Sequence, residues 1–138
     1  MKVAELTLTG ALCALTLAGC PEITPEPQGI LTAQQINGSW EFAPESGGPR
    51  ECYTFENGQI VLYSAFCDGV NDLRAASSFV LDGNDFSVSF PAVLTDVNSF
   101  QVTITVTGTV IDEGTIEVTA TASVGGGSVG FRGTLRRT

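Results

Sequence analysis

Residues 100–124 read FQVTITVTGTVIDEGTIEVTATASV, and this stretch decides the fold. Apolar side chains occupy alternate positions on both sides of a short loop: Phe100, Val102, Ile104, Val106 and Val110 before it, and Ile116, Val118, Ala120, Ala122 and Val124 after it. Such alternation is typical of β-strands with one buried face. The loop Asp112-Glu113-Gly114 aligns Val110 with Ile116, so the two apolar faces coincide. The stretch therefore predicts an antiparallel hairpin.

Three further turns show the same agreement between loop and pattern. Asn57-Gly58 and Gly83-Asn84 are two-residue hairpin signals, and residues 125–128 form a glycine-rich loop of four residues. The strand residues that these loops place opposite each other are apolar on both sides: Phe55 with Ile60, Leu81 with Phe86, and Val124 with Val129. A one-residue slip would turn a whole apolar face outward, so the consistent registers support each hairpin.

We expect an all-β domain of eight antiparallel strands in an up-and-down meander, at approximately 38–43, 51–56, 59–66, 75–82, 85–90, 100–111, 115–124 and 129–136. Alternate connections of a meander lie at the same end. One end therefore carries tight turns, and the other carries the long connections 43–50, 67–74 and 91–99. A closed barrel is the natural arrangement because closure removes both free edges. A two-sheet β-sandwich is the alternative.

The first twenty residues have the organisation of a secretory signal. A positive charge at Lys2 precedes the apolar run 6–18, which is too short to span a membrane and is typical of a signal peptide. The run ends Leu17-Ala18-Gly19-Cys20, which resembles the bacterial lipobox. That resemblance implies that Cys20 is lipidated and becomes the first residue of the mature protein. An ordinary cleaved signal that ends in Cys is the alternative.

The chain is accordingly expected to have three parts. Residues 1–19 are the lipoprotein signal peptide, 20–35 the lipidated cysteine with a proline-rich tether, and 36–138 the β-barrel domain. Several acyl chains on Cys20 would anchor the protein stably, because each buried CH2 group contributes about 0.8 kcal/mol. The expected location is the bacterial cell envelope, where the membrane-anchored lipoprotein faces the periplasm or the cell surface.

Two cysteines remain for the folded domain. Cys13 leaves with the signal and Cys20 takes the lipid, so Cys52 and Cys67 are left in an exported protein, where disulfides persist. In strict hairpin register Cys52 faces Tyr63, and four further residues of strand would hold Cys67 too far away. A Cys52–Cys67 disulfide therefore requires the segment after the strand to fold back. Two separate structural thiols are the alternative.

A family resemblance comes from the two ends of the predicted barrel. Gly38-Ser39-Trp40 opens the first strand and Arg136-Arg137 closes the last. This pattern resembles that of the lipocalins or calycins, in which the tryptophan plugs the closed end of the barrel and a late basic residue lies over it. The resemblance implies that Trp40 is the plug, that Arg136 (or its neighbour Arg137) covers it, and that the domain is a lipocalin-like binding barrel.

The composition argues against catalysis. The chain has no His, its one Met is Met1, and its one Lys is Lys2. This removes Ser-His-Asp and Cys-His pairs, His metal sites and Schiff-base lysines. The net charge of −9 argues against nucleic acid. The Asp-Gly-Asn turns at 68–72 and 82–85 lack the spacing of a calcium-binding EF-hand loop. We expect a protein that is not an enzyme, with no cofactor and no metal site.

The long-loop rim is the expected binding surface, with six charged residues: Glu45, Arg50, Asp68, Asp72, Arg74 and Asp96. The leading hypothesis is a barrel that carries a small apolar ligand inside. Its alternative is a protein-binding barrel, such as a periplasmic inhibitor of proteases or lysozymes, and a structural envelope lipoprotein is a third possibility. The interior discriminates between the first two, because a carrier needs a cavity of roughly 300 Å³ or more.

Overall fold

A computed structural model describes residues 29–95 and 98–138 of the chain. These residues contain nine β-strands: β1 (Gly38–Pro44), β2 (Glu51–Glu56), β3 (Gln59–Ser64), β4 (Ser77–Ser78), β5 (Val80–Asp82), β6 (Asp85–Leu94), β7 (Phe100–Asp112), β8 (Thr115–Val124) and β9 (Gly127–Arg137). Within these ranges there is no helix whose length and apolar character would let it cross a membrane.

The nine strands form one antiparallel sheet in the order β4-β3-β2-β1-β9-β8-β7-β6-β5. β1 pairs with β9, which joins the first and last strands. The strands at the two ends of this order, β4 and β5, are neighbours in the sequence, so the sheet curls until its ends meet. The prediction of an all-β barrel is confirmed, and the sheet is not divided into the two layers of a sandwich.

The strand count differs from the expected eight because the predicted strand 75–82 is divided at Phe79. β4 pairs with β3, where Ser77 lies opposite Ile60, whereas β5 pairs with β6 on the other side. Phe79 is buried between them, and its backbone N–H donates to the carbonyl of Gly58 at 3.2 Å. One predicted strand therefore becomes two short strands, of which β4 pairs with β3 and β5 pairs with β6. We call this junction between β3 and β6, where the two ends of the sheet meet, the seam.

Asp72 holds the other end of this seam. Its backbone N–H donates to the Tyr63 carbonyl at 2.7 Å, and its carbonyl accepts from the N–H of Val93 at 2.8 Å. The side chain is 2% exposed. Its carboxylate accepts hydrogen bonds from the backbone N–H of Ala65 and from both the backbone N–H and the hydroxyl of Thr95. A single residue thus connects the end of β3 with the end of β6.

Most predicted hairpin registers are confirmed. Three apolar pairs lie opposite each other as expected: Phe55 with Ile60, Leu81 with Phe86, and Val110 with Ile116. The expected pairing of Val124 with Val129 is wrong, because Gly125 and Gly126 alone form the turn and Val124 pairs with Gly127. Gly125 has φ +57°, which a two-residue turn of this kind needs. The shift is by two positions, so the apolar faces still coincide.

A bulge changes the pairing of Cys52. The register between β2 and β3 shifts at Thr54 and Phe55, and Cys52 consequently lies opposite Ser64 and not opposite Tyr63. The bulge moves Cys52 one position closer to the end of β3 than strict pairing predicts. This shift shortens the distance that the chain must cover to bring Cys67 back.

The barrel interior is packed with aromatic rings. Eight large side chains, seven from four strands and Phe79 from the strand division, are buried: Trp40, Phe42, Tyr53, Phe55, Tyr63, Phe79, Phe86 and Phe90. Leu31 and Ile36 are buried as well. The described fold thus includes Leu31, which lies in the range expected for the tether, whereas the proline-rich residues 21–28 lie outside the described residues.

β8 and β9 extend beyond β1 at the end of the long connections. The pairing of β9 with β1 begins at Gly133, opposite Pro44, and the N–H of Glu45 donates to the Arg132 carbonyl at 2.8 Å. Residues 127–131 pair with β8 and with no other strand of the described chain. This overhang positions the candidate site.

Replacement of Asp72 tests the seam. We expect Asp72→Ala to lower the free energy of unfolding by about 2–3 kcal/mol, because the N–H groups of Ala65 and Thr95 lose their acceptor. Asp82→Ala is the matched control on exposed β5 and should change it by less than about 0.5 kcal/mol. Urea unfolding followed by the fluorescence of the single tryptophan measures both. Equal effects would show that Asp72 does not close the barrel.

Candidate functional site

The two ends of the barrel differ in their connections. The tight-turn end carries the turns 57–58, 83–84 and 113–114, together with the start of β1 and the end of β9. The open end carries the connections 45–50, 65–76, 95–99 and the turn 125–126. A binding surface is expected where the loops are long and variable.

Trp40 and Arg137 seal the tight-turn end. Trp40 is fully buried, and its indole N–H donates to the Ile36 carbonyl at 2.8 Å. The Arg137 guanidinium carbon lies 4.6 Å from the centroid of the Trp40 ring. The same guanidinium donates to the backbone carbonyls of Gln35, Asn37 and Glu113 at 2.6, 2.9 and 3.1 Å. Gln35 and Asn37 directly precede β1 and Glu113 lies in the turn 113–114, so Arg137 connects two segments of this end.

The arginine over Trp40 is Arg137 and not Arg136. Side chains of a strand alternate between the two faces, so the neighbour of Arg137 points away from the ring. Arg136 is exposed and lies opposite Glu41 on β1 and Thr115 on β8. The expected cover was assigned to Arg136, and this assignment is corrected to its neighbour Arg137.

Aromatic rings occupy the place where a carried ligand would lie. Phe55 contacts Trp40, Tyr53, Phe79 and Phe86, with ring centroids between 5.2 and 6.3 Å apart. Nearer the open end, Tyr63 and Phe90 lie 5.1 Å apart. These distances are those of packed aromatic pairs. The described interior is therefore a filled core.

One carboxylate lies among these rings, below the open end. The hydroxyl of Tyr53 donates to Glu51 at 2.8 Å. Burial raises the pKa of Glu51, and the hydrogen bonds from Tyr53 and Tyr63 oppose that rise. Burial, with the nearby Glu51 carboxylate, raises the pKa of both tyrosine hydroxyls. The tyrosines therefore stay neutral and act as donors to the carboxylate. The hydrogen bonds from Tyr53 and Tyr63 to Glu51 thus pair the polar atoms of these three side chains below the open end.

The disulfide between Cys52 and Cys67 is confirmed. The two Cα atoms lie 5.0 Å apart. Cys67 adopts φ +54° and Gly69 φ +86°, so the chain folds back after β3 as the bond requires. The Glu41 carboxylate lies within 4.8 Å of both sulfurs, but the sulfurs are bonded to each other and Glu41 pairs with Arg50 at 2.9 Å. This cluster therefore offers no thiolate to a metal ion.

Of the six charged residues of the predicted rim, four are exposed, one is buried and one lies outside the described residues. Glu45, Arg50, Asp68 and Arg74 are exposed on the open-end connections. Arg50 is engaged by Glu41, and Asp68 accepts from the Ser64 hydroxyl and the Val70 N–H. Asp72 is buried in the seam and is not displayed on the surface. Asp96 and the expected lipid attachment residue Cys20 lie outside the described residues.

An exposed apolar surface at the open end was not predicted. We call it the apolar rim, and it consists of Phe66, Val70, Phe100, Val124, Val129 and Phe131. Alternation assigned Val124, Val129 and Phe131 to the core face. Their strands continue past the end of β1, however, so that face is left uncovered. The overhang could not be read from alternation, because the pattern does not report the length of the neighbouring strand.

A groove lies beside the overhang. It has a volume of about 590 Å³ and is lined by Glu45, Ser46, Gly130, Phe131 and Arg132. An adjoining groove of about 560 Å³ on the outer face shares Glu45 and Arg132 and adds the carboxylates of Asp85 and Glu117. Acidic side chains thus outnumber the arginine along this side of the barrel.

Comparisons with protein-family models, with curated proteins and with solved structures give no match to this chain. The site is therefore interpreted from its own geometry. It offers apolar side chains, backbone groups and carboxylates at the open end, and a filled interior below them.

The two neighbouring arginines test the seal of the tight-turn end. We expect Arg137→Ala to lower the free energy of unfolding by about 2 kcal/mol, because the ring contact and the bonds to three carbonyls are lost. Arg136→Ala removes the same charge and should cost less than about 0.5 kcal/mol. Urea unfolding compares them. A larger loss for Arg136→Ala would contradict the assignment.

The raised pKa of Glu51 predicts a pH effect with a defined sign. A carboxyl whose pKa is raised by folding contributes stability below its ordinary pKa, and that contribution is lost as the pH rises through the raised value. Relative to Glu51→Gln, the natural protein should therefore become more stable as the pH falls from about 8 to about 4. Urea unfolding of both proteins across this range measures the difference. A difference that stays constant with pH would contradict the burial of this carboxylate.

Proposed function

We propose that this chain is a lipid-anchored lipoprotein of the bacterial cell envelope whose barrel binds a protein partner at its open end, without catalysis. The anchor is argued from the signal-like N-terminus and the lipobox resemblance that ends at Cys20. The binding role is argued from the barrel. A relation to the calycins is part of the proposal and is supported by the contact between Trp40 and Arg137.

The observation that carries the proposal is the contrast between interior and rim. Apolar rings fill the inside, whereas six large apolar side chains are exposed at the open end as the apolar rim. Exposed apolar surface bordered by polar residues is typical of interaction sites. A small apolar ligand would have to displace packed rings such as Phe90 and Tyr63, whereas a protein can cover the rim without changing the core. The contrast favours the protein-binding alternative over the carrier.

The charge of the chain indicates the chemistry of the partner. The chain has fifteen acidic and six basic residues, which gives a net charge of −9. Opposite charge accelerates association and disfavours like-charged partners. A basic protein is therefore the expected partner, and a basic lysozyme or a protease is one example. An acidic lipid surface would be repelled.

The orientation of the barrel suits this role. The described chain begins at the tight-turn end, where the N–H of Ile30 donates to the Asn84 side chain at 2.8 Å. An anchor at Cys20 would consequently tether that end to the membrane. The open end, with the apolar rim and the disulfide Cys52–Cys67, would point away from the bilayer. The binding surface would then be accessible to a protein in the periplasm or outside the cell.

Site-directed photo-crosslinking in bacterial cells tests this proposal. A photoreactive amino acid is placed at Val70, Phe100 or Val129 of the full chain, where exposure makes the change tolerable. We expect each position to yield a covalent adduct of one discrete additional mass, since the partner covers the rim. The adducts are identified by mass spectrometry.

Two exposed apolar residues elsewhere are the matched controls. Val80 on β5 and Ile111 near the turn 113–114 lie toward the tight-turn end and should give no such adduct. Adducts from these positions as strong as those from the rim would contradict the proposal. Cells that yield no adduct from any rim position would favour a structural envelope lipoprotein instead.

A further inference from the structure

The overhang of β9 leaves a free strand edge. Residues 127–131 pair with β8 on one side, and among the described residues no strand lies on their other side. The pairing with β1 begins only at Gly133. By contrast, the strands at the ends of the sheet order, β4 and β5, meet at the seam. β4, β5 and Asp72 connect the two sides of the barrel there, whereas residues 127–131 of β9 keep one edge without a partner strand among the described residues.

The backbone groups on this edge can be identified by alternation. In an antiparallel pair, successive residues direct their N–H and C=O groups to opposite sides of the strand. The Arg132 carbonyl accepts from the Glu45 N–H, so Arg132 directs its groups away from β8. Gly130 and Ser128 stand two and four residues earlier and must direct theirs to the same side. No strand of the described residues pairs with these backbone donors and acceptors, which lie on the free edge.

Side chains along this edge lack the usual protection. Natural edge strands are guarded by charges, prolines or bulges that prevent further pairing. Residues 125–131 read GGGSVGF and contain neither a charge nor a proline. Val129 and Phe131 lie on the inner face and are 53% and 38% exposed. The outer face carries only the hydroxymethyl group of Ser128 and no side chain at Gly130. An incoming strand would meet apolar contacts on one side and no obstruction on the other.

The groove beside the edge provides the space for such a strand. Its volume of about 590 Å³ lies between the connection 45–50 and β9, with Gly130 and Phe131 in its lining. Glu45 is on the opposite wall. Within the described residues the one ion pair joins Arg50 to Glu41, so the Glu45 carboxylate has no cationic partner.

We propose that the free edge of β9 at residues 127–131 binds an extended segment of a basic partner protein as an added β-strand. This inference rests on the proposed protein-binding function and names the part of the surface and the mode of recognition. Backbone groups of Ser128 and Gly130 bond to the segment, Val129 and Phe131 contact its alternate apolar residues, and Glu45 receives one of its basic side chains.

The charge selects the basic segment over a second copy of the chain. Each copy carries a net charge of −9. Pairing of two edges around Val129 would use only Ser128 and Gly130 of each copy, which is far smaller than the interface of a stable dimer. A basic segment is attracted because the carboxylates of Glu45, Asp85 and Glu117 outnumber Arg132 in the lining of the adjoining grooves.

The experiment uses the full chain in detergent and a synthetic peptide of about seven residues that alternates valine with arginine and threonine. Hydrogen exchange and amide NMR follow the binding. In the free protein the amides of Ser128 and Gly130 should exchange rapidly and that of Val129 slowly. Addition of the peptide should slow the first two. A peptide with glutamate in place of arginine should bind at least about tenfold more weakly.

Matched variants separate backbone pairing from other contacts. Ser128→Pro and Gly130→Pro each remove an edge donor and spare the bonds to β8, so they should weaken binding at least about tenfold. Ser128→Ala and Gly130→Ala keep the donor and should bind normally; a methyl group at Gly130 would have its nearest neighbour 3.7 Å away. Should a proline variant unfold, a peptide methylated on alternate backbone nitrogens gives the same test on the natural chain and should not bind.

Three results would overturn the inference. The basic peptide could fail to bind at millimolar concentration, or bind equally well to the proline variants. Alternatively, the amides of Ser128 and Gly130 could become protected by concentration alone, which would assign the edge to a second copy. Partner adducts at Val70 or Phe100 together with any of these results would leave the proposed function standing and refute only strand addition.

Discussion

The packing of aromatic rings around Phe55 is the interaction on which the barrel depends. Phe55 is fully buried and contacts Trp40 from the tight-turn end, Phe86 from β6 and Phe79 from the seam. Phe79 must point inward to reach it, and this requirement divides the strand that crosses the seam. The same rings close the sheet and fill its interior. Closure of the sheet and filling of its interior therefore depend on the same aromatic contacts.

Local pattern explains how much of this fold could be predicted. Hairpins such as Val110 with Ile116 depend on neighbouring residues and a turn, so alternation and glycine placement were sufficient. The division at Phe79 depends on a ring that is distant in sequence, and no local pattern reports it. The bulge at Thr54 is a similar case. The disulfide was predictable by elimination of the other cysteines, but its geometry depended on that bulge.

The candidate site was predicted in its location but not in its chemistry. The charged rim was expected from loop residues, yet Asp72 is buried because the seam needs an acceptor for Ala65 and Thr95. The exposure of Val129 and Phe131 follows from the unequal lengths of β9 and β1. Alternation states which face a residue lies on, whereas exposure depends on whether another strand covers that face.

We propose that the barrel binds at its surface and not in its interior. An amide and indole NMR titration of the full chain with a long-chain fatty acid such as palmitate tests it most directly. We expect the indole signal of Trp40 and the amide signals of Phe55 and Phe90, which report the packed rings, to stay unchanged. Saturable shifts of these interior signals would contradict it, because they would show that the core opens to hold an apolar ligand.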